Sequence, residues 1–131
     1  MSGNTDIIRP QYHLRPTASG FDAWDIRRLV RRAESIAAAP IPLSDIAELD
    51  ENYWFHGATP TARAIVEHIA LIDAADLRYP ILLDAEGRLM DGMHRAARAL
   101  RDGHDTILAK RFAATPAPDY RNADPDTLPY D

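Results

Sequence analysis

At Asp91–Gly92 the hydrophobic pattern of this 131-residue chain changes period, and that change leaves the backbone few options. Before it, Pro80 to Leu83 and Arg88 to Met90 are short apolar runs of strand character. After it, Met93, Ala96, Ala97 and Leu100 recur at i, i+3, i+4 and i+7, until Gly103 stops the pattern. The spacing therefore predicts a helix that starts directly at a strand end. Asp84, Ala85, Glu86 and Gly87 join the two runs as a turn, with glycine where a positive φ is needed, so the runs are expected to pair as a hairpin.

The flanking elements follow from the same rules. Residues 1–21 read as an irregular arm. From Asp22, an expected N-cap, Ile26, Leu29, Val30, Ala33, Ile36 and Ala37 recur at helical spacing up to Pro40. The opposite face carries Arg27, Arg28, Arg31 and Arg32; a solvated face partly neutralised by Asp22, Asp25 and Glu34 is preferred over a phosphate-binding one. Ile41 to Ile46 reads as a strand, and Ala47 to Gly57 as a loop holding Glu48, Asp50, Glu51 and the aromatic run Tyr53, Trp54, Phe55. Thr59 with Pro60 is an expected helix start, after which Ala62, Ile65, Val66, Ile69 and Ile72 form one apolar stripe to about Ala75. His68 lies off that stripe and is given no role. Thr106 to Phe112 alternates as a last strand, and residues 113–131 read as a tail, leaving 22–112 as the domain.

Composition narrows function. Zero cysteines removes disulfides, thiolate metal sites and cysteine nucleophiles, and fits a cytoplasmic protein. The net charge of −5 disfavours general nucleic-acid or anionic-membrane binding, and no signal-like or membrane-spanning run is visible. What remains is the strand-to-helix turn. Free N–H groups and the positive dipole end favour an anion there, Gly92 permits close backbone approach, and Arg95 can add a two-pronged contact. A phosphate is the natural guest. The competing reading has Asp91 capping the helix, His94 bonded to a backbone carbonyl and Arg95 paired with a surface carboxylate.

From Tyr79 to Phe112 the order of elements around Asp-Gly-Met-His-Arg resembles the ParB/sulfiredoxin superfamily, in which a glycine-led turn at a helix start grips nucleotide phosphates. Ile41-Pro42-Leu43-Ser44-Asp45-Ile46 looks like that fold's first strand, so the resemblance covers roughly 40–112. It implies an α/β (α+β) domain with a small mixed sheet, a hairpin and about three helices. Sulfiredoxins carry Gly-Cys-His-Arg, and here Met93 stands in place of the nucleophile, which removes sulfinic-acid reduction. Partitioning ParB proteins have a Gly-Glu-Arg-Arg-like turn contacting CTP and a DNA-reading domain that has no counterpart in these residues.

The pattern is more similar to small ParB-like kinases that phosphorylate free serine. That resemblance implies phosphate binding by Gly92, Met93, His94 and Arg95, with His94 donating to a phosphate oxygen. Asp91 would hold Mg²⁺ or orient the turn, and Glu51 or Glu48 would take the acceptor's proton. The expected ligand is a nucleotide or other phosphorylated small molecule, with nothing to choose among ATP, ADP and CTP. The rival expectations are a DNA-associated or regulatory module using the arginines of the first helix, and a homodimeric interaction module without chemistry. Tyr53, Trp54 and Phe55 are expected to anchor their loop rather than to stack on a base.

Overall fold

The computed structural model describes residues 11–55 and 58–130 as an α+β protein with three helices and two sheets. The chain divides into two compact units, Ser35–Thr115 and the flanks Met1–Glu34 with Pro116–Asp131.

In the unit Ser35–Thr115 the expected hairpin is present as β4 (Ile81–Leu83) and β5 (Leu89–Asp91), paired antiparallel. Asp84 makes its turn. The buried Oδ1 accepts from the backbone N–H of Glu86 at 2.9 Å and of Arg88 at 2.8 Å, while Gly87 takes φ +87°. The helix α3 (Met93–Arg101) follows β5 with Gly92 alone between them. It ends in a Schellman arrangement, with His104 N–H on the Ala99 carbonyl at 3.0 Å and Gly103 N–H on that of Leu100 at 3.2 Å. β6 (Thr106–Arg111) then runs parallel to β4 and antiparallel to β3 (Ala39–Pro42), giving the order β3-β6-β4-β5. Leu43, Ile46, Ile81, Leu83, Leu89, Met93, Ala96, Ala99, Ile107 and Ala109 form its core.

Several expectations are corrected here. The strand expected over Ile41 to Ile46 is β3 followed by a 3-10 turn at Leu43–Asp45, and the loop after it contains a second such turn at Ala47–Asp50. Thr61, not Thr59, caps α2 (Ala62–Ala74), accepting from Ala64 N–H at 3.1 Å. The face of α3 that is buried is Met93, Ala96 and Ala99; Leu100, expected inside, is exposed. A larger departure concerns α2, which has no buried residue: Ile65, Val66 and Ile69 of its stripe face outward, Val66 being 62% exposed. Polar contacts set this rotation. Arg98 donates to the carbonyls of Asp73 and Ala75, Arg101 pairs with Asp73, and His68 bonds His94, so a different face of α2 lies on α3.

In the flanking unit, residues 12–16 and 21–25 are not an irregular arm but the hairpin β1 (Tyr12–Pro16) and β2 (Phe21–Asp25). The expected tail supplies β7 (Tyr120–Ala123), which pairs with β2 on its other side. Residues 1–10 of the expected arm lie outside the described residues. The first helix, α1 (Ile26–Arg32), starts three residues later than Asp22 suggested, because Asp25 is its cap, accepting from Arg27 N–H at 2.9 Å. It ends early, at Ala33, whose N–H is shared between the carbonyls of Leu29 and Val30.

Candidate functional site

The turn from β5 into α3 positions the residues that the sequence singled out. Gly92 is its hinge. With φ +109° it sits where an L side chain is strained, and a Cβ there would lie 2.6 Å from Ile81 Cγ2. No side chain caps α3, so its first-turn amides, from Met93 to Arg95, are not taken by a capping group. Met93 itself points into the core, leaving only its backbone available to a ligand.

Arg95 braces this turn. Its Nη1 donates to the carbonyls of Tyr79 at 3.0 Å and Pro80 at 2.7 Å, and its Nη2 to Asp91 Oδ2 at 2.8 Å, with 17% of the side chain exposed. The guanidinium thereby ties the chain entering β4 to the end of β5 and the start of α3. Asp91 is engaged in the same pair, and among the described residues no group of three or more His, Asp or Glu side chains is placed to hold a metal ion.

Glu48 and Glu51 meet at Arg88, at the other end of β5 from Asp91. Glu48 is buried, 3% exposed, and its Oε2 accepts from Leu89 N–H at 2.8 Å and lies 3.1 Å from Arg88 Nε; its Oε1 is buried without a hydrogen-bond partner among the described residues. Glu51 is half-exposed and grips Arg88 with both oxygens, at 2.8 and 3.2 Å. Hydrogen bonds from that guanidinium hold the Glu51 carboxyl below the usual carboxylate range, although desolvation opposes them.

His94 is brought to a partner that sequence reasoning passed over. Its Nε2 lies 2.8 Å from His68 Nδ1 on α2, with the two rings 20° from coplanar and 5.1 Å apart, joined edge to edge. Trp54 roofs both, its ring centroid 4.3 Å from His68 and 4.8 Å from His94 in nearly parallel planes, and Phe55 meets His68 edge-on at 5.4 Å. Half-burial, and to a lesser degree repulsion from His68, push the His94 pKa down, so this imidazole is neutral at pH 7. The helical pattern placed His68 off the apolar stripe, which was the signal; what it did not show is that the stripe faces away from α3. Trp54 and Phe55 anchor their turn on this pair, and Tyr53 and Trp54 also pack against the core cluster.

Two of the α1 arginines are engaged within the flanking unit: Arg28 and Arg32 lie 3.3 and 3.8 Å from the buried carboxylate of Asp119. Among the described residues no helix is long and apolar enough to cross a membrane. Compared with protein-family models, with curated proteins and with solved structures, the chain gives no match.

Proposed function

We propose that this chain binds a nucleotide or another phosphorylated small molecule at the start of α3, as the resemblance to the ParB/sulfiredoxin superfamily implies. The observation that carries the reading is Gly92, left-handed and packed on Ile81, opening an uncapped helix directly after a strand. Backbone N–H groups and the helix dipole supply the anion's partners, and the missing Cβ of Gly92 lets Ile81 pack against the turn that aims them. Arg95 acts mainly by holding the turn, since its Nη atoms already serve Tyr79, Pro80 and Asp91. His94, neutral and with Nε2 used by His68, would meet a phosphate oxygen through Nδ1.

Binding is better supported than phosphoryl transfer. A general base has to be available to the acceptor hydroxyl. Glu48 is engaged with Leu89 and Arg88, and Glu51, bound by Arg88, is a weaker base than an ordinary carboxylate. A DNA-associated role has less support, because Asp119 neutralises part of the α1 arginine face.

The test is a thermal-shift screen with ATP, ADP, CTP and inorganic phosphate, with and without Mg²⁺. A ligand at 100 times its Kd stabilises by about 2.7 kcal/mol. Stabilisation by one of these compounds that Gly92→Ala abolishes is the expected result. No shift with any of them, or a shift that Gly92→Ala retains in full, overturns the reading.

A further inference from the structure

The His68–His94 contact has a chemistry of its own, beside any contact of His94 with an anion at α3. A hydrogen bond between two imidazoles needs one lone pair, so it survives in the neutral and singly protonated states and fails when both rings are charged. Two positive rings would then face each other across the 2.8 Å between their nitrogens, under an indole that limits access of water. None of the residues of α2 is buried, so polar and ring contacts carry a large share of its docking. Its C-terminal end is held by Arg98 and Arg101 through Asp73 and Ala75; nearer its N-terminus, His68 supplies the contacts to His94, Trp54 and Phe55. A 13-residue helix is marginal without tertiary contacts.

We propose that the His68–His94 pair is a pH-sensitive latch that holds the N-terminal half of α2 on α3 at neutral pH and releases it in mild acid. Among the described residues, the charged groups named on the surrounding elements have other partners or are exposed. On α3, Arg95 and Arg98 are cationic and tied to Asp91 and Asp102. On the turn beneath Trp54, Glu51 is held by Arg88. On α2, Arg63 and Glu67 lie on its exposed side. Among the described residues neither imidazole has a carboxylate as hydrogen-bond partner. Release frees a segment whose Ile65, Val66 and Ile69 already face outward.

Hydrogen exchange on the full chain at about pH 7.5 and about pH 5 tests the latch, with α3 in the same sample as reference for the intrinsic pH dependence. In the wild type the protection of α2 relative to α3 is expected to fall by about tenfold or more in acid, the equivalent of one pKa unit. Trp54 fluorescence in a Trp24→Phe background is expected to change over the same range. His68→Phe keeps a ring under Trp54 but removes one charge, and should leave the relative protection of α2 equal at both pH values. Equal protection at both pH values in the wild type overturns the proposal, as does an undiminished acid loss in His68→Phe. Should that variant not fold, NMR titration of the wild-type imidazoles decides: both rings charging while α2 protection stays constant is equally fatal.

Discussion

Asp91 and Arg95, four residues apart across the start of α3, are joined by a 2.8 Å ion pair whose guanidinium also holds the carbonyls of Tyr79 and Pro80. An arginine so placed at a glycine turn is a brace before it is a ligand. Arg95→Ala should therefore lower unfolding free energy by about 2 to 3 kcal/mol, the cost of losing partly buried charge-assisted hydrogen bonds. Urea denaturation measures it. A variant as stable as wild type, but impaired in nucleotide binding, would return Arg95 to the phosphate.

Gly92→Ala places a Cβ 2.6 Å from Ile81 Cγ2 at a φ of +109°. The strain of such a conformation is of order 1 to 3 kcal/mol, before any clash is relieved. The melting temperature should fall, while Gly103→Ala, where no atom lies within 4 Å of the added Cβ, meets strain but no clash and should cost less.

The two glutamates at Arg88 should behave differently although they share a partner. Glu48→Ala leaves the buried Leu89 N–H without its acceptor, at about 1 to 3 kcal/mol, and Glu48→Gln should recover part of that. Glu51→Gln is expected to leave stability within the error of chemical denaturation, because its pair is solvent-exposed. Equal losses for Glu48→Ala and Glu51→Gln would contradict this geometry.

The pH dependence of stability has a sign fixed by His94. Burial lowers its pKa in the folded state from about 6.5, so the unfolded chain takes up the proton first. The contribution is complete above the unfolded value and is lost as pH falls below it. His94→Gln should flatten the wild-type decline below about pH 6.5, read as denaturation midpoints across the range.

Truncations separate the two candidate core faces. Met93→Ala, in the core, should cost about 2 to 5 kcal/mol, whereas Ile69→Ala, on the outward face of α2, should cost well under that. If Ile69→Ala cost as much, the stripe would be buried in solution.

The local grammar of the chain was legible without coordinates. The Asp84–Gly87 turn, the hairpin around it, Gly92 as the junction, the start of α3 and the strand from Thr106 all follow from period and turn chemistry, which act within a few residues. What the tertiary structure decided is everything set between segments distant in sequence. β7 joins β2 across about 100 residues, and no local pattern in the tail announces that pairing. α2 turns its apolar stripe outward because arginines and a histidine on α3 fix its rotation, a choice made by polar partners that the stripe itself does not encode. The same contacts turn His68 from an unassigned residue into half of a pair, and the carbonyls of Tyr79 and Pro80 give Arg95 partners distant in sequence. Side-chain spacing gives the direction of each residue around its own helix axis. Which direction faces another segment depends on how the elements dock, and that is settled by the summed contacts of the folded chain.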